Sequence, residues 1–346
     1  MKIVLTADIH NHQFKNFDKL TENGRSLRLS LYEKSLWYVW EYCKLNGINY
    51  WIDAGDFFHS RESISLPVLD MVGRFFQECE LKEETSGKIL KYFLKGNHDI
   101  NNRIGDITSL NILSQYGKVI KNSCVEEISL FDHSNYYIRF IPWDEKINFV
   151  KEINKSRSNL VIGHRMIKGS KANNVIFNGE SLEGLDYSKF DNIFCGHVHQ
   201  HQKVQDNVYY IGNLVSNNFN DVDQEKGFIV YDFLEKTFEK VKNPYSPIFK
   251  DVIINSKEQL NEIKIKENEF LNIKFDLKNL NILDDLPEEL KNVCKFTVLY
   301  KQKEENRIDE QDLLTPESLF DKYCSLNDIN SDISKIGKEI LLEVQQ

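Results

Sequence analysis

Short apolar runs alternate along the first two thirds of the chain with stretches whose apolar residues recur every three or four positions. The runs at residues 3–5, 48–52 and 88–94 are too short for helices and predict strands. Between the first two, Leu29, Tyr32, Leu36, Val39, Trp40 and Cys43 mark one face of a helix packed on a sheet, closed by Gly47. Residues 66–79 predict a second helix, with Pro67 in its first turn. Strand, helix, strand, helix, strand is the layering of an α/β fold. Residues 122–131 and 136–141 read as two further strands suited to antiparallel pairing, and a short helix fits within 146–157. Strands follow at 159–162, 190–194, 208–211 and 227–233. Residues 212–223 are rich in asparagine and lack periodicity, which predicts an ordered loop near a site.

The pattern changes after Pro244 and Pro247, where lysine, glutamate and asparagine become common. Residues 263–265 and 271–277 alternate as half-exposed strands do. Residues 287–292 suggest a short helix or turn, and 296–300 another strand. From Pro316 the pattern is helical, with Ile329, Ile333, Ile336, Ile340 and Val344 on one face, a stripe that must be buried in cis or against a partner. These shifts divide the chain into residues 1–245, a small α+β region at 246–312, and a helical segment at 313–346 whose apolar stripe suits a partner.

Composition narrows the class. The 346 residues are 41% hydrophobic and 28% charged, ordinary for a globular protein. No apolar run has the length of a membrane span, and the first residues lack a signal-peptide layout. The six cysteines are scattered and read as reduced thiols of an intracellular protein. A formal charge of -9 argues against a protein that coats nucleic acid through bulk positive charge, though not against an enzyme that acts on it. No Walker-type phosphate loop is present, which excludes ATP hydrolysis by that device.

The chemistry sits where predicted strands end. Asp8-Ile9-His10 follows the first, Gly55-Asp56-Phe57-Phe58-His59 the second, and Gly96-Asn97-His98-Asp99 the third. Gly163-His164 and Gly196-His197-Val198-His199 close two later ones. A lone Gly-Asp is usually a turn; five such junctions in order are not. Six of the nine histidines lie in these motifs. Imidazole, carboxylate and amide together suit a borderline divalent ion better than a structural zinc. Asp8, His10, Asp56, Asn97, His164, His197 and His199 are too many ligands for one ion and about right for two, with Asp56 the natural bridge.

These motifs resemble the ordered signature of the calcineurin-like metallophosphoesterases over roughly residues 1–235. Gly55-Asp56-Phe57-Phe58-His59, with its extra histidine, and Ile141-Pro142-Trp143 resemble the Mre11/SbcD nuclease branch. Within that branch, length and tail are most like the bacteriophage recombination exonuclease subunits. The resemblance implies a four-layer α-β-β-α sandwich followed by a small C-terminal α+β region and a terminal helix. It implies a first metal on Asp8, His10 and His199, a second on Asn97, His164 and His197, and Asp56 between them. The ions expected are Mn2+, with Mg2+ an alternative. His98 would act on the scissile phosphate or leaving oxygen, His59 would place the DNA strand, and Asp99 would orient His98. The chain departs from the family at Gly212-Asn213-Leu214-Val215, where many relatives carry glycine, serine or threonine, then proline. The implied function is 3′-5′ double-strand DNA exonuclease with single-strand endonuclease activity. The implied partners are DNA, a second copy of the chain and an SMC-like ATPase of the Rad50/SbcC type, in a bacterial host's cytoplasm if phage-encoded. A protein phosphatase or small-nucleotide phosphodiesterase of the same fold is the alternative.

Overall fold

In this computed structural model, residues 1–101, 107–129, 135–173, 175–276, 278–279, 290, 294–299, 320–321, 323–325 and 329–344 are described. The first half runs β1 (Lys2–Thr6), α1 (Leu27–Leu45), β2 (Tyr50–Asp53), α2 (Leu66–Ser86), β3 (Leu90–Leu94), β4 (Lys118–Ile120), β5 (Cys124–Ser129), β6 (Asn135–Ile141), α3 (Phe149–Asn154) and β7 (Leu160–His164). There follow β8 (Lys171–Ala172), β9 (Val175–Ile176), β10 (Asn192–Gly196), β11 (Gln202–Gln205), β12 (Val208–Tyr210), β13 (Gly227–Asp232) and β14 (Thr237–Lys242). The last elements are β15 (Ile248–Ile253), α4 (Lys257–Asn261), β16 (Glu269–Asp276), β17 (Cys294–Leu299) and α5 (Ser331–Val344).

Two six-stranded sheets form the centre, ordered β14-β13-β1-β2-β3-β4 and β11-β12-β10-β7-β6-β5. Strands β1 to β4 are parallel, as are β6, β7, β10 and β12, so their carboxyl ends gather along one rim of each sheet. Ile3, Leu5 and Ile52 of the first sheet share a core with Phe140, Leu160, Ile162 and Phe194 of the second. Val4 and Trp51 point the other way, into a core with Tyr32, Leu36, Phe75 and Phe76 of α1 and α2. Strands buried on both faces read as unbroken apolar runs, which is why the sequence signals them by length rather than by alternation. Phe149 and Ile153 of α3 cover the outer face of the second sheet. The layers are therefore α-β-β-α, as expected.

Local chemistry sets the helix ends. Ser26 caps α1 by accepting from the Leu29 amide, Pro67 stands in the first turn of α2, and Gly87 ends α2 at φ 89°. A buried ion pair ties layers together: Lys91 of β3 meets Glu83 of α2 at 2.8 Å, and Glu83 also accepts from Trp40 Nε1 of α1 at 2.8 Å.

The C-terminal region differs in part from the pattern. Residues 263–265 are not a strand but coil following α4. The alternation at 271–276 belongs to β16, with residue 277 outside the described residues, yet β16 is not half-exposed: it is the middle strand of the sheet β15-β16-β17 and nearly all its side chains are buried. Its Phe270 packs with Phe249, Leu27 and Leu31, a tertiary contact no periodicity announces, while Asn272 and Lys274 bond to Asp251 of β15. Of the turn expected at 287–292, only Leu290 lies within the described residues. The chain divides into two compact units, Met1–Val298 and Leu299–Gln346. In the second, α5 begins after Ile329, and Ile333 and Ile336 are exposed. Among the described residues, no helix is long and apolar enough to cross a membrane.

Candidate metal centre

Loops leaving β1, β2 and β3 in one sheet and β7 and β10 in the other converge on one place. The first two run side by side: the Asp8, His10 and Asn11 amides donate to the carbonyls of Gly55, Asp56 and Phe57, each at 2.9 Å. Asp8, His10, Asp56 and His197 all have positive φ, at 50°, 53°, 57° and 101°. They are half of the eight non-glycine residues in that region among those described, and such strain persists only where surroundings impose it. The bend is what turns consecutive polar side chains inward. It also needs glycine at Gly96, where a Cβ would collide with the amide and carboxylate of Asp56.

Two groups of donor atoms result. Asp8, His10 and His199 place theirs within 4.8 Å of one another, and so do Asp56, His164 and His197. In the first, His10 Nε2 and His199 Nε2 are 3.1 Å apart. In the second, Asn97 Oδ1 lies 3.0 Å from His164 Nε2 and 2.6 Å from His197 Nδ1. Asp56 Oδ2 stands between the groups, 3.8 Å from His10 Nε2 and 3.5 Å from His164 Nε2. His10, His59 and His98 form a third group, which shares His10 with the first.

The donor set fits divalent cations. Burial holds His10 well below its usual pKa, and burial with the His164 charge takes His197 down to about 3, so both are neutral, with lone pairs to offer. His164 goes the other way: burial opposes its charge, but Asp56 outweighs it and raises the imidazole to about 9. Asp56 is desolvated too, yet His164 and His10 keep it well below the usual carboxylate range. Since Ala54 carbonyl can only accept, His164 Nδ1 donates to it at 2.9 Å, which leaves Nε2 as the positive point facing Asp56 and Asn97. That is where a cation would take the proton's place.

The remaining residues behave less uniformly. His98 donates Nδ1–H to the His59 carbonyl at 2.7 Å, and its amide donates to Asp56 Oδ1 at 2.7 Å. Asp99, expected to orient His98, instead accepts from the amides of Asp56, Gly96 and Phe58 at 2.8, 2.9 and 3.3 Å. It holds the Asp56 loop, and burial beside Asp56 raises its carboxyl to about 7. His59 sits against His10, Nδ1 to Nδ1 3.4 Å. Trp143 stacks on His197 with centroids 5.2 Å apart.

Sequence reasoning missed Asp221 and Lys226. Asp221, buried, lies 3.8 Å from His199 Nδ1. Lys226 Nζ donates to Asp221 at 2.9 Å and to the His199 carbonyl at 3.3 Å. The asparagine-rich loop pointed to this place but not to the residue, because only the folded chain puts residue 221 behind residue 199.

A two-sheet sandwich carrying paired carboxylate and imidazole groups at its strand ends defines the metal-dependent phosphoesterases as a class. Residues 1–201 match the calcineurin-like phosphoesterase family, and the chain belongs to it. Its members use divalent metals. The chain is 26% identical over 211 residues to "Exonuclease subunit 1" of Enterobacteria phage T4, covering 59% of this chain and 58% of that one's length. It is 22% identical over 264 residues to phosphoesterase 244L of Invertebrate iridescent virus 6, covering 74% and 85%. Among solved structures, GAP50, the anchor in the inner membrane complex of Plasmodium, is similar with a TM-score of 0.37 and 14% identity over 87% of this chain and 98% of that one.

Proposed function

We propose that this chain is a two-metal-dependent DNA phosphodiester hydrolase, the nuclease subunit of an Mre11-Rad50/SbcCD-like complex. It would act as a 3′-5′ double-strand exonuclease with single-strand endonuclease activity in phage DNA recombination, repair or host DNA degradation. The observation that carries this reading is His59, whose ring joins His98 and the His10 of the first donor set in one group. The name of the phage relative, an exonuclease subunit, supports both the activity and the assembly.

Asp8, His10 and His199 would hold one ion, Asn97, His164 and His197 the other, with Asp56 shared and Mn2+ preferred over Mg2+. Such ions supply Lewis acidity, neutralising charge on the phosphoryl oxygens and activating water. The protein's own residues supply order. Asp99 and Gly96 fix the Asp56 loop. With its Nδ1–H committed to the His59 carbonyl, His98 has Nε2 left to interact with the phosphate or donate to the departing sugar oxygen. His59, beside His98, would place the strand. Pairing into a homodimer and docking of the 313–346 segment on an SMC-like ATPase complete the proposal.

A second reading, a protein phosphatase or small-nucleotide phosphodiesterase, draws on the match to the iridescent virus phosphoesterase, which covers more of both chains. Purified protein incubated with end-labelled duplex DNA, a phosphomonoester and a cyclic nucleotide, each with Mn2+ or Mg2+, separates the two. Shortening of the duplex is expected; turnover of the small substrates alone would overturn the DNA reading.

A further inference from the structure

A row of rings leads away from the metal centre on the side of His59. His59 stacks on His98 at 5.5 Å with 22° between planes. On its other neighbours, His12 lies 4.9 Å from His59 and Phe14 lies 5.3 Å from it, while His12 and Phe14 meet edge to face at 4.8 Å. All four rings are half-buried, so each keeps some surface open to solvent. Neither His12 nor Phe14 belongs to a donor group among the described residues, and the mechanism uses neither.

The row is held from beneath. The Arg28 guanidinium lies 3.9 Å from the Phe14 centroid. Arg28 is buried, donates to the Asn16 carbonyl at 3.2 Å and to the Asn217 carbonyl at 2.5 Å, and has no partner for Nε among the described residues. Phe14 is the nearest of three rings to this buried cation, with Phe249 at 5.4 Å and Phe270 at 5.8 Å, and the close contact holds the Phe14 ring in place. A ring already fixed loses little freedom when something stacks on it.

We propose that His12, Phe14 and His59 form a stacking subsite for a nucleobase of the nucleotide adjoining the scissile phosphate. The proposal rests on the DNA-hydrolase reading and names what recognises the strand. With a net charge of -9, the chain offers a polyanion no bulk attraction. Stacking needs no charge, and it tolerates any sequence because every base has a π face. The subsite begins at His59, 3.4 Å from His10, so the base it takes lies next to the bond that breaks.

The test compares two end-labelled duplexes in Mn2+, identical except that one carries tetrahydrofuran abasic residues at the end being cleaved. Wild-type protein should show a KM about tenfold higher on the abasic end, the scale of one base stacked on an aromatic ring. Phe14→Ala and His12→Ala should raise KM about tenfold on the normal end, with the loss on KM rather than kcat, and should no longer distinguish the two ends. Phe14→Trp should restore the distinction. A rim that merely shields the loop would raise KM equally on both duplexes or not at all, and either result overturns the subsite. Wild-type protein that turns over a phosphomonoester but cuts neither duplex overturns the DNA reading and the subsite with it.

Discussion

For His98 and Asp221, the partner of a single atom sets what the proposed chemistry would ask of each. The Nδ1–H of His98 is committed to the His59 carbonyl, so the ring works through Nε2 or not at all. His98→Asn removes that atom without touching either donor group. It should lower kcat by about 10²–10⁴, the usual contribution of one acid–base group, while titration with Mn2+ finds undiminished binding. Full turnover in the variant would remove His98 from the chemistry. Asp221 faces Nδ1 of His199, and a carboxylate there keeps the opposite nitrogen turned toward His10. Asp221→Asn should weaken Mn2+ binding at the Asp8–His10–His199 group about 10–100-fold. The Asn97–His164–His197 group should keep its affinity, so Mn2+ titration followed by electron paramagnetic resonance should show one site filling at higher Mn2+ than in the parent protein and the other unchanged.

Elements matter because of what they carry to the rim. Strands β1, β2 and β3 each deliver a loop to the same place, which requires them to stay in register with α1 and α2 behind them. The Glu83–Lys91 pair is one pin of that arrangement, with both side chains at most 3% exposed. Removing one partner strands a buried charge, so Lys91→Met should cost about 3–5 kcal/mol in urea unfolding. Replacing both residues with apolar ones of similar volume should recover only part of the loss, since the Trp40 Nε1–H and the Ile89 amide then lose Glu83 as their acceptor. If Lys91→Met alone proved neutral, the pair would not be a pin.

At the scale of the whole molecule, the two compact units invite different tests. Met1–Val298 contains the site and both large sheets, and Leu299–Gln346 contains α5. An amphipathic helix with exposed isoleucines fits the partner-binding role proposed for the tail. Deleting residues 316–346 should leave phosphodiester hydrolysis by the purified chain in place and abolish co-purification with an SMC-like ATPase. Retained association would assign the contact to another surface.

How much of this was legible depended on whether a feature is local. The ligand motifs were readable because each sits in a few consecutive residues after an apolar run, and the positive φ angles at Asp8, His10, Asp56 and His197 only refine how those residues turn inward. The α/β layering was readable because strand and helix periods differ. Strands β14 and β15 were missed because short mixed-polarity strands carry no period of their own and are held by their neighbours in the sheet. Asp99 stood out in the sequence as part of a strand-end motif, but its partners did not, since which of several nearby groups a carboxylate accepts from is settled by packing. Asp221 behind His199 and Arg28 beneath Phe14 were decided by tertiary structure alone. Neither pair follows from a local period: His199 leaves one sheet and Asp221 leads into the other, and Phe14 reaches Arg28 only because its loop folds back on α1. The sequence by itself determined which residue types end the strands at the candidate metal centre and where those motifs fall along the chain. The tertiary structure decided which atoms face which, because direction and distance exist only once the sheets have packed.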